Sequence, residues 1–202
     1  MHPTRRSMLT TSAVLLAAGT LPRLARADVP DPRMADRAVG SADAKVVAGE
    51  WFSFTCPHCA RFQSGVFPQV KAQLIDTGKL RYVWHEYPRD QVDLMAAMIA
   101  RSLPAERYLP FVETLLATQA RWAFDRSVEP KDELAKMAAL AGMPRDMFDK
   151  VVADEALKAA ILGAQAKAEQ AYNIDSTPTF IINGHAHSGE ADIDTFKKWV
   201  GV

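Results

Sequence analysis

The 202-residue chain has only two cysteines, which excludes a disulfide-stapled mini-fold and any site that needs four thiolates. It has no surplus of positive charge, with 24 Lys and Arg against 24 Asp and Glu. Residues 1–27 hold four arginines and no acid, so the rest of the chain has 20 basic and 24 acidic residues, a net charge of −4. That balance argues against a nucleic acid bound by a broad basic surface. No internal repeat or low-complexity run is present. The apolar run from Met8 to Leu21 is broken by Thr, Ser and Gly and falls short of the about 20 residues needed to span a bilayer. Disorder is excluded as the main state because 49% of the residues are apolar, enough to bury a sizeable core.

What is present begins with an address. Arg5-Arg6, the modest apolar run and Ala25-Arg26-Ala27 follow one another as the charged, apolar and small-residue zones of an export signal. Cleavage is expected after Ala27. The arginine pair followed by Leu9 is similar to a twin-arginine signal, although Thr10 stands where a basic residue is common. Either export route leads to a periplasm-like compartment in which disulfides persist.

Residues 28–44, with Pro30, Pro32 and Gly40, read as an extended lead-in too short for a second domain. Val46 to Phe54 reads as a buried strand, Phe62, Val66, Val70 and Leu74 as a helical stripe kinked at Pro68 and stopped at Gly78, and Leu80 to Tyr87 as another strand. Residues 90–172 offer only amphipathic helical stretches, punctuated by Pro104, Pro130, Gly142 and Pro144. Thr179 to Ile182, the Asn183-Gly184 turn and His185 to Ser188 then read as a hairpin, followed by a helix from Asp192 to Val200. The expected architecture is an α/β core of βαβ and ββα halves, residues 45–89 and 173–202, with a helical domain, residues 90–172, inserted between them.

The cysteines form Cys56-Pro57-His58-Cys59 at a strand-to-helix junction. That spacing puts both sulfurs on one helical turn and aims Cys56 at unpaired backbone N–H groups and the positive end of the helix dipole. The Cys56 thiolate should be stabilised, with His58 adding a positive charge or donor and Pro57 suited to the first helical position. Cys59 should be the more buried, resolving thiol. A structural disulfide here would close so small a ring that it would constrain the unfolded chain very little. A metal site could recruit His58, His85, His185 or His187, but the spacing matches no common finger. His185 and His187 read as solvent-facing, the methionines of the insert (Met95, Met98, Met137, Met143, Met147) as packing, and Trp84, Trp122 and Trp199 as core.

From Lys45 to Val200 the chain resembles the DsbA branch of the thioredoxin superfamily. The residues that carry the resemblance are Glu50-Trp51-Phe52-Ser53-Phe54-Thr55-Cys56-Pro57-His58-Cys59, the helical insert, and Ser176-Thr177-Pro178-Thr179-Phe180-Ile181-Ile182-Asn183-Gly184. It implies a thioredoxin fold and an exposed Cys56 that exchanges with clients while Cys59 resolves. It also implies that Pro178 is a cis-proline beside the disulfide and that the Thr177 main chain receives an extended client segment. Glu50 would lie beneath the disulfide and relay the Cys59 proton, with His85 or Arg81 as the cation set against it. A second cysteine pair found in alphaproteobacterial relatives aligns with Ser102 and Val151 and is absent here.

The expected function is a periplasmic dithiol oxidase that donates its disulfide to unfolded exported proteins with free thiols. A DsbB-like, quinone-linked membrane protein would reoxidise it, and no bound cofactor, metal or nucleic acid is expected. A reductase or isomerase of specific disulfides is the nearest alternative, and a metal- or peptide-binding module a more distant one. Residues 28–44 are too short for the dimerisation domain that periplasmic isomerases carry, so a monomer is expected.

Overall fold

The computed structural model describes residues 31–202, so the expected export signal and its expected cleavage after Ala27 lie outside the described residues. Five strands form one sheet in the order β1-β3-β2-β4-β5. They are β1 (Arg37–Val39), β2 (Val46–Phe52), β3 (Leu80–Glu86), β4 (Thr179–Ile182) and β5 (His185–Ser188). β2 runs parallel to β3, pairing Glu50 with Trp84, while the other neighbours are antiparallel.

Part of the expected lead-in, β1, joins the sheet. Its three residues pair with Tyr82, Val83 and Trp84, a contact too short to leave a periodic signal in the sequence. β2 ends at Phe52, two residues before the expected limit, because Ser53 to Thr55 turn the chain into the next helix.

That helix is composite: α1 (Pro57–Arg61) and α2 (Phe67–Val70) are joined by a π-helical turn at Phe62–Val66, and a second π turn follows at Lys71–Ile75. Pro68 has no N–H to give, and the wider turns on either side carry the kink expected there. Gly78, at φ +75°, ends the run with its N–H on the Ile75 carbonyl.

Between β3 and β4 come six helices: α3 (Gln91–Ser102), α4 (Ala105–Ala117), α5 (Gln119–Trp122), α6 (Pro130–Leu140), α7 (Arg145–Val152) and α8 (Glu155–Tyr172). No proline or glycine marks the break at Thr118, where α4 gives way to α5. The last helix, α9 (Ile193–Val200), is capped by the Asp192 side chain on the Thr195 N–H.

Strand alternation divides the core. Tyr82 and Trp84 pack against Phe67, and Phe180 against Phe62 and Phe196, on one face of the sheet. On the other, Trp51 clusters with Tyr87, Ala168 and Ile174 beneath α8. Trp84 and Trp122 are buried, whereas Trp199 lies at the rim and stacks on His187 rather than entering the core. Met98, Met137 and Met143 are buried and Met95 packs at the core edge, but Met147 is exposed.

Candidate active site

Cys56 is the N-cap residue of α1 and keeps extended backbone angles (φ −89°, ψ 118°), so its side chain faces the free N–H groups of the first turn. Pro57 follows at the first helical position, where a missing N–H costs no hydrogen bond. Cys59 lies one turn on and is fully buried. Both cysteines are free thiols.

Across the groove, the Thr177–Pro178 peptide is cis and brings the Thr177 carbonyl within 3.2 Å of Cys56 Sγ, which donates to it only while the thiol keeps its proton. Cys56 is 1% exposed, so it is not the open sulfur that the resemblance implies; it is turned inward against Thr177. A client that pairs with the Thr177 main chain would engage that carbonyl directly beside the sulfur.

The two thiols are pushed in opposite directions. Donation from Cys59 holds the Cys56 thiol down at about 5, helped by the Thr177 side chain and the backbone N–H groups of Cys59 and His58, and opposed by burial. Burial raises Cys59 well above the ordinary thiol value, and the Cys56 and Glu50 charges push it further. At neutral pH Cys56 is a thiolate and Cys59 a thiol.

Glu50 lies in the middle of β2, 2% exposed. Burial raises its carboxyl to about 8, with the Cys56 charge adding to the rise, so it holds a proton at pH 7. Its partner is neither His85 nor Arg81. Tyr82 Oη donates to Glu50 Oε2 at 2.8 Å, while His85 stacks on Trp51 and Arg81 approaches Asp36. Both expected cations occupy odd positions of β3, which alternation sends to the face away from Glu50; Tyr82 is on the near face.

His58 is exposed, and its ring does not serve Cys56 as expected. Its Nδ1 meets Glu190 Oε1 at 2.5 Å, and what it offers the thiolate is its backbone N–H. Of the other imidazoles, His85 and His187 are stacked on tryptophans and His185 is exposed on β5, so the structure does not gather them around the sulfurs. No group of three or more His, Cys, Asp or Glu among the described residues is arranged to hold a metal.

Sequence reasoning missed the residues that hold the loop leading into Cys56. Asp93 on α3 accepts from Ser53 Oγ at 2.6 Å, the Phe54 N–H at 2.8 Å and the Arg89 N–H at 2.9 Å. Gln119 on α5 donates through Nε2 to the carbonyls of Phe54 and Cys56, at 2.7 and 3.0 Å. Two buried side chains from the helices between β3 and β4 thus bond to the backbone of the turn on both sides, at the Phe54 N–H and at the Phe54 and Cys56 carbonyls. Asp93 follows a helix N-cap at Asp90, so in the sequence it looks like an ordinary first-turn acid. Only the three-dimensional contact distinguishes it.

The thioredoxin family model matches residues 33–201. The chain belongs to the thioredoxin family. Within that family it is of the DsbA type, with the same fold as Wolbachia pipientis alpha-DsbA1 at a TM-score of 0.75 and 27% identity, covering 85% of this chain and 90% of that one. A protein-disulfide isomerase from Novosphingobium aromaticivorans matches at a TM-score of 0.70 and 25% identity, over 82% of this chain and 95% of that one. In sequence, a candidate protein-disulfide oxidoreductase of Rickettsia bellii is 30% identical over 150 residues, 74% of this chain and 57% of the relative. The Rickettsia prowazekii counterpart is 29% identical over 166 residues, 82% of this chain and 60% of the relative. The chain therefore spans little more than half the length of these curated relatives.

Proposed function

We propose that the chain is a protein thiol:disulfide oxidoreductase that donates a Cys56–Cys59 disulfide to clients. The observation that carries the reading is the opposed pair of thiols: Cys56 held as an anion at about 5 and Cys59 held protonated. A low-pKa thiol is a good leaving group, and a couple whose reduced form is stabilised oxidises other dithiols.

A client thiolate attacks Cys56 Sγ of the disulfide. The S–S bond breaks, and Cys59 leaves and is protonated. A second client thiolate then attacks the client sulfur of the mixed disulfide, and Cys56 departs as its stabilised thiolate. The client loses two electrons and the protein gains them, so no bound cofactor is needed. Protein groups supply thiolate stabilisation and orientation. Thr177 offers main-chain hydrogen bonds to the client segment beside Pro178, and Glu50, protonated at rest, is placed to exchange a proton with Cys59. Pro57 and His58 complete the turn that presents Cys56.

The export signal in residues 1–27 supports a periplasmic site of action on unfolded exported proteins with free thiols. It also supports reoxidation by a DsbB-like, quinone-linked membrane protein. No helix among the described residues is long and apolar enough to cross a membrane. In the proposed arrangement the protein acts as a monomer, its thioredoxin-like domain built from residues 45–89 and 173–202 and carrying residues 90–172 as an insert.

Mixing the oxidised protein with a reduced two-cysteine peptide in equal amounts tests this reading. Near-complete conversion of the peptide to its disulfide is expected. If the peptide instead stays reduced, while the reduced protein opens the peptide's disulfide, the protein is a reductase and the proposal fails.

A further inference from the structure

Glu190 is the first residue after the Gly189 turn that follows β5, and it reaches across to the helix carrying the cysteines. The turn is fastened beside the active site, since the Gly189 N–H donates to the Pro178 carbonyl at 2.8 Å. From there Glu190 Oε1 meets His58 Nδ1 at 2.5 Å and Arg61 Nη2 at 2.7 Å, and Arg61 Nε donates to both carboxylate oxygens, at 3.1 and 3.4 Å. Arg61 Nη2 also lies 2.7 Å from His58 Nδ1. That nitrogen cannot carry a proton for Glu190 and accept one from Arg61 at once. With Glu190 ionised, donation from Nδ1–H to the carboxylate is the arrangement that satisfies all three groups.

One carboxylate therefore engages both the Arg61 guanidinium and the His58 imidazole of α1. Lys71, the next basic residue in the composite helix, is paired with Asp76. We propose that Glu190 is a positioning residue that moderates the oxidising power of the Cys56–Cys59 couple by holding His58 and Arg61 away from the Cys56 thiolate. This rests on the exchange reading above. Releasing the two side chains favours the thiolate, and a more stable thiolate makes the disulfide a stronger oxidant. The cluster is partly exposed, with side-chain accessibilities of 60% for His58, 57% for Arg61 and 32% for Glu190, so the effect is modest and screened by salt.

The test is the equilibrium of wild type and Glu190→Gln with a series of glutathione ratios at low and high salt. The variant's equilibrium should shift towards the reduced protein by about three- to tenfold at low salt, the upper end corresponding to about 30 mV, and by less at high salt. An unchanged equilibrium, or a shift towards the oxidised protein, overturns the proposal. The comparison is a difference between two proteins, so it stands whether the wild-type couple proves oxidising or reducing; only the absolute wild-type value bears on the proposed function. Glu190→Gln combined with Arg61→Met and His58→Phe provides the second reading. With both side chains replaced, the Glu190 substitution should move the equilibrium by much less than it does alone, and an undiminished shift contradicts the mechanism.

Discussion

Cys56→Ser reduces disulfide transfer to the uncatalysed background, whereas Cys59→Ser stalls it as a stable mixed disulfide between Cys56 and the client. The asymmetry follows from the two environments. Cys56 Sγ faces Thr177 and the edge of the groove, and Cys59 is buried behind it with a raised pKa. A serine at position 56 leaves only a buried, protonated thiol, which clients cannot reach and which is a weak nucleophile. A serine at position 59 leaves the Cys56 thiolate intact but removes the internal thiol that would expel a bound client. Non-reducing electrophoresis after incubation with an oxidised client checks both. A covalent adduct with Cys56→Ser, or none with Cys59→Ser, would reverse the assignment of attacking and resolving sulfurs.

Arg101→Ala is expected to lower the unfolding free energy by about 3–5 kcal/mol, the range for leaving one member of a buried ion pair alone. Arg101 on α3 and Glu86 at the end of β3 have side-chain exposures of 3% and 2%, with Nε and Oε2 2.6 Å apart. Arg101 also donates to the Ala35 carbonyl at 2.8 Å and the Trp84 carbonyl at 3.3 Å, and Tyr108 Oη on α4 donates to Glu86 Oε1 at 2.6 Å. One side chain thus ties the segment before β1, the edge of the sheet and the helices together. Truncation strands Glu86 as an uncompensated buried partner and removes the Arg101 donors from the Ala35 and Trp84 carbonyls. Replacing the pair together, Arg101→Met with Glu86→Leu, should recover much of the loss, because apolar groups of similar volume carry no desolvation penalty. Urea unfolding measures both. A loss below about 1 kcal/mol for Arg101→Ala would place the network among surface pairs of little consequence.

The parts of this molecule that were legible in the sequence are those in which local chemistry and the final structure agree. Cys56 to Cys59 at a strand-to-helix junction, Pro57 at the first helical position and Asn183-Gly184 between two short strands each carry their conformation with them. Pro178 was assigned its cis bond by resemblance alone, since nothing local separates it from an ordinary strand residue. What was not legible depended on which segments meet. Glu50 was matched to a cation because the register of β2 on β3 was unknown; that register places Tyr82 on its face and sends Arg81 and His85 to the other. Asp93 is separated from Cys56 by the composite helix and β3, and Gln119 by α3 and α4 as well, and no pattern in either segment points to the turn that carries Cys56. β1 is too short to show alternation. The burial of Cys56 arises from a carbonyl 121 residues away, a contact made only when the two halves of the sheet are together.

The absorbance of the reduced chain near 240 nm, followed as pH rises, tests the central claim most directly because thiolates absorb there and thiols do not. The account predicts a single-thiol transition centred near pH 5 that is lost in Cys56→Ser. The folded value lies below the ordinary thiol value of 9.0, so Cys56 ionisation stabilises the reduced fold fully above about pH 9. That contribution declines as pH falls and is gone below about 5. A transition near pH 9 instead, unchanged by unfolding, would mean that the helix start and the Cys59 thiol do not stabilise the anion, and the disulfide-donor reading would lose its physical basis.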